Sequence, residues 1–187
     1  MEISLLGARA VTAANCHCSF EVEREGPFMQ MFRVTSSDAA GLTQEVQQQA
    51  IWRWLALASI VRPKTGHVTL DIAEAAGSMT AHELTTGHGW IDMPNLATHV
   101  RGYHWGTYLS DGHIERLGGL DLIYRNAPVA KAVDLSDRQG KRVYLQLTDD
   151  VRIVSADQLR ALKAYLDPLL VPTAGNFSPR ARRARIV

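Results

Sequence analysis

Four side chains able to exchange protons near neutral pH crowd one stretch, VRGYHWGTYLSDGHIERLGGLD (Val100 to Asp121): His104, Asp111, His113 and Glu115. Asp111, His113 and Glu115 alternate, so they would share a face only in an extended strand. HIERL before a glycine reads instead as a turn of helix. Ile114 and Leu117 anchor it inward, leaving His113, Glu115 and Arg116 to solvent. The other histidines form no recognisable centre. HELTTGH spaces His82 and His88 too widely for one helix face to offer both to a metal. Cys16 and Cys18 in CHC would share a strand face, but no second ligand cluster accompanies them, and two reduced thiols are expected. A Gly-x-Ser-x-Gly elbow and a Gly-x-x-x-x-Gly-Lys loop are both absent. The chain is therefore read as a non-enzyme, with no catalytic residue, metal or cofactor.

The elements that must position these residues follow from periodicity. YHWGTYL is rich in β-prone aromatics, with Tyr103, Trp105 and Thr107 on one strand face and Gly102 and Gly106 leaving room beside the indole. Ser110 or Asp111 can cap a short helix, and Gly118 can end it in the left-handed conformation. Upstream, alternation over Phe20–Val22 and Phe28–Val34 around a Glu-Gly-Pro turn predicts a hairpin. A helix is expected over Thr43–Val61, with Val46, Ala50, Ile51, Trp54, Leu55 and Ala58 inward and Gln44, Gln47 and Gln48 opposite; Pro63 stops it. Val68, Leu70 and Ile72 alternate as a strand. Residues 74 to 99 read as loop, with a short helix near Met79–Leu84. KAVDLS and KRVYLQLTD are strands, and Ser155 with Gln158 makes a capping box for a final helix. The pattern implies an α+β domain, a largely antiparallel sheet with helices packed on one face, over residues 1–175, followed by a basic tail at 176–187.

The tail holds Arg180, Arg182, Arg183 and Arg185 and no acid, so the body carries 16 basic residues against 19 acidic, a net −3. A folded surface that grips nucleic acid is normally basic, so none is expected to bind the body. No stretch approaches the ~20 apolar residues of a membrane helix. Glu2 and Arg9 fit a secretory leader poorly, and a cytoplasmic location without membrane contact is expected.

The order Gly102, Trp105-x-Thr107-x-Leu109, then Leu117-Gly118-Gly119, resembles a pattern in bacterial immunity proteins of type VI secretion and related toxin systems. AIWRWLALASIVRPKTGHVTLDI and LRALKAYLDPLL are similar to that family's earlier helix–turn–strand and closing helix, across roughly residues 45 to 172. HWG and the segment before the last helix depart from the pattern, as in a divergent member. The resemblance implies a protein that binds a cognate toxin, a nuclease being compatible with the acidic body, and neutralises it. Toxin contacts would then come from polar groups turned outward: His104, Tyr108, Asp111, His113 and Glu115. Two other readings stand beside it: a structural or regulatory subunit of a phage or secretion assembly, and a histidine-dependent enzyme.

Overall fold

A computed structural model describes residues 14–23, 27–35, 41–72, 82 and 95–171; for residues 14–23, 27–35 and 70–72 it describes the backbone alone. The expected hairpin forms from β1 (Ala14–Glu23) and β2 (Pro27–Thr35), paired from Asn15↔Thr35 to Glu23↔Pro27. β3 (Thr65–Ile72) lies on the other side of β1, followed by β4 (Gly106–Ser110), β6 (Arg142–Gln146) and β5 (Lys131–Asp134). The sheet order is β2-β1-β3-β4-β6-β5, and every pairing is antiparallel. With the helices below, this is the α+β class that the periodicity implies.

Because directly opposed residues share a face, the register sorts the whole sheet. One face carries Phe28, Gln30, Phe32 and Val34 of β2, Cys16, Cys18, Phe20 and Val22 of β1, Val68 and Leu70 of β3, and the pair Tyr108↔Tyr144 with Gln146 and Arg142 on either side of Tyr144. Helix α1 (Gln44–Val61) packs on this largely apolar side against β1 and the centre of the sheet, its Trp54 ring meeting Tyr108 at 6.1 Å and Tyr144 at 5.5 Å, both edge-on. The other face is polar across β1 and β3, where Asn15, His17, Ser19 and Glu21 stand beside Asp71, Thr69, His67 and Thr65. Across β4 and β6 that face turns apolar again, and Leu109, Val143 and Leu145 are buried. Ile114, Ile123, Leu162, Leu166 and Leu169 complete the same core.

Thr43 caps α1 by accepting from the Val46 amide, and Arg62 closes it in the left-handed conformation, φ 54°, ahead of Pro63. Arg62 also meets Asp137, which Arg142 of β6 holds from the other side at 2.9 Å. The register of α1 differs from expectation at one point. Gln47 does not face solvent; it is fully buried. Its amide nitrogen donates to the Leu42 carbonyl and to Asp150 Oδ1, each at 2.8 Å, and its oxygen accepts the Val151 amide at 2.9 Å. A glutamine can take the core position because every polar atom it brings is paired. Removing it strands partners rather than one bond. Gln47→Leu is expected to cost about 1–3 kcal/mol, read as a lower urea midpoint with an unchanged m-value.

Helix α2 (Asp111–Arg116) and helix α3 (Leu120–Asn126) follow β4, with Gly118 at φ 85° and Gly119 at φ 101° turning the chain between them. Helix α4 (Ala156–Leu166) opens on the expected capping box: Ser155 Oγ accepts the Gln158 amide, and Gln158 Oε1 accepts that of Ser155. Of the short helix expected near Met79–Leu84, only His82 is described, helical and buried. The arginine-rich tail lies outside the described residues.

Candidate functional site

The strand–helix junction at Ser110 brings the expected chemical residues into view and separates them. The Ser110 amide donates to His113 Nδ1 at 3.2 Å, so that nitrogen is the acceptor and the ring proton sits on Nε2. Nε2 then donates to the His99 carbonyl at 3.0 Å. His113 is 0% exposed, and burial pushes its pKa down to about 4, against the opposing hydrogen bond to His99. It is a neutral bracket between β4, α2 and the 95–99 turn. The Ser110 hydroxyl is spent on the Lys64 carbonyl at 2.7 Å.

The outward orientation expected of five residues holds for Asp111 and Glu115 and fails for His104, Tyr108 and His113. Tyr108 is 1% exposed, and burial drives its pKa up to about 12. No partner can touch it while the sheet is intact. The reason is positional: β4 lies between β3 and β6 and is covered on both faces, so alternation along it selects no outward side. Glu115 is exposed, and among the described residues no side-chain hydrogen bond or ion pair holds it. Asp111 is exposed but already bound, its Oδ1 accepting the Lys141 amide at 2.6 Å across the β5–β6 turn.

The residues that carried the family pattern are architectural. The Trp105 indole donates to the Thr148 carbonyl and hydroxyl at 3.0 and 2.9 Å. Leu109 is fully buried, Leu117 half-buried, and the Gly119 amide reaches back to the Ile114 carbonyl at 2.8 Å to seal α2. Gly106 is needed by the sheet rather than by the indole. A Cβ there would meet Val68 Cβ and a Tyr144 ring carbon at 2.9 Å. Tyr103 to Trp105 precede the strand, so the face shared by Tyr103, Trp105 and Thr107 does not form.

His104 is 3% exposed because it stacks on His67, ring centroids 4.0 Å apart and planes inclined by 16°. The pair lies where the polar side of β3 meets the segment leading into β4. Thr65, Gly66, Val100, Arg101, Gly102 and Thr107 complete the walls of a small cleft there. His67 and Arg101, both more than nine-tenths buried, are the members that sequence reasoning passed over. The alternation of β3, which puts His67 with Thr65 and Thr69, was the available signal. Two imidazoles and a guanidinium can together hold an anion, and the imidazoles can pass a proton. His104 and His113, by contrast, are engaged with different partners and do not form one centre. Among the described residues no three histidine, cysteine or acidic side chains are grouped to hold a metal.

A second feature is on α1. Its inner side is buried, yet Trp52 is 65% and Ile60 78% exposed, with exposed Ala56 midway between them. Spaced four residues apart, the three form one apolar line along the outer surface of the helix. Among the described residues no helix is long and apolar enough to cross a membrane. Comparison with models of known families, with curated proteins and with solved structures finds no match to this chain.

Proposed function

We propose that this chain is a non-enzymatic binding protein, and most concretely an immunity protein that neutralises a cognate toxin by occupying its surface. The observation that carries the reading is the line Trp52–Ala56–Ile60 on the outside of α1. Tryptophan dominates binding hot spots, and apolar residues four apart on a helix are the anchors by which a helix seats in a partner's groove. Beneath that line, Ile51, Trp54, Leu55 and Ala58 bind the helix to the core, so the outer face is presented without needing to order itself on binding. The partner-contact set accordingly moves from the buried His104, Tyr108 and His113 to Trp52, Ile60 and Glu115. The resemblance in residues 102–119 supports the choice of a toxin as partner, and the net −3 body suits a basic, nucleic-acid-cleaving one.

Co-expression with the product of the gene immediately upstream tests the reading. Growth rescue and a co-eluting complex are expected for the wild type. In Trp52→Glu/Ile60→Glu both should be lost, with the melting temperature held within the small range of surface changes. A wild-type chain that neither rescues nor co-elutes overturns it.

The His67–His104 stack favours a second reading, a histidine-dependent activity in the cleft beside Arg101. Metal analysis of the purified protein, with anion titrations of wild type and His67→Ala, separates the two. Bound metal or anion lost in the variant would favour the cleft.

A further inference from the structure

The two edges of the sheet are built differently. β5 is four residues, Lys-Ala-Val-Asp, with the exposed charges Lys131 and Asp134 at its ends. Short length and terminal charge are how proteins keep an edge strand from recruiting another chain. β2, at the opposite edge, has nine residues, PFMQMFRVT, and only Arg33 is charged. Pro27, the one residue without an amide donor, stands at its first position. Among the described residues β2 has a single strand neighbour, β1. From this contrast we infer that β2 is the dimer seam of the protein, two copies pairing antiparallel about Met31 to continue the sheet across a two-fold axis.

Residue types along β2 suit its own reverse. Centred on Met31, Phe28 stands opposite Val34, Gln30 opposite Phe32, and Met29 opposite Arg33. Aromatic beside β-branched is a favourable cross-strand pair, and the lone charge meets a methionine rather than its own copy, so no like charges oppose. Directly opposed residues lie on the same face, so both copies keep α1 on one side of the joined sheet. The arrangement is isologous, residue i meeting j and j meeting i, which closes at two copies.

The wild-type mass in solution, by light scattering on a sizing column over a wide range of concentration, is the first measurement, and a dimer is expected. The second reads the register in a Cys16→Ser/Cys18→Ser background. Residue 31 faces its own copy at a separation a disulfide can span, so Met31→Cys alone should give a covalent dimer on oxidation. Met29→Cys alone should not, whereas mixing it with Arg33→Cys should. A monomer at all concentrations overturns the inference. So does a dimer in which Met29→Cys cross-links with itself as readily as Met31→Cys, which would place the seam elsewhere. A toxin strand captured by β2 would also show as a monomeric wild type, and sinks the self-pairing without touching the reading of α1.

Discussion

Trp54→Ala is expected to lower stability by about 3–5 kcal/mol, the range for truncating a fully packed large side chain. Trp52→Ala, two residues away on the same helix, should change it by less than about 0.5 kcal/mol. Trp54 is 2% exposed and braces the Tyr108↔Tyr144 pair that joins β4 to β6; Trp52 has water over most of its surface. Losing the Trp54 indole opens a cavity between α1 and the centre of the sheet, and the two tyrosines lose an edge-on aromatic partner besides. For a chain of this size the expected fall in Tm is on the order of 10 °C, measured by thermal unfolding of both variants side by side. Equal losses would mean that the outer face of α1 is part of the core after all. The proposed binding surface would then go with it.

That pair also shows what periodicity can and cannot reveal. The inward assignment of Ile51, Trp54, Leu55 and Ala58 was legible because a helix face repeats, and the capping box at Ser155 because its residue types are standard. The hairpin and the strands fell out of alternation in the same way. Gln47 was misplaced because amphipathic patterns treat amides as surface, and its pairing is completed by a tertiary contact with Asp150 and Val151, about a hundred residues away, beside the nearby Leu42 carbonyl. His104 lies before β4, where its stacking on His67 buries it, and Tyr108 was misread for a related reason. Alternation tells which residues share a strand face, but not whether a second layer covers the other one. The cleft beside His104 depended on β3 lying next to β4, a pairing made between segments some forty residues apart.

His113 is the sharpest case, because it completes a second capping box that the usual Ser-x-x-Glu/Gln pattern does not contain. Its imidazole nitrogen does for Ser110 what the Gln158 amide oxygen does for Ser155. The difference is that an imidazole titrates. With a folded pKa near 4 and an unfolded value of 6.5, the native state binds the proton less well than the unfolded chain. Its contribution is complete above pH 6.5 and drains away as pH falls toward 4, about 3 kcal/mol in all. His99, its pKa also lowered by burial and by Arg116, adds to the loss in the same direction. His113→Gln keeps an acceptor for the Ser110 amide, gives up the reach to the His99 carbonyl and removes the titration. The variant should therefore be less stable than wild type by about 1–2 kcal/mol at pH 7.5, with the gap closing or reversing by pH 4.5. Urea titrations of both proteins at several pH values read it directly. Parallel stability curves across that window would show that the imidazole is already free to protonate in the folded chain, and that the bracket between β4 and the 95–99 turn is not closed.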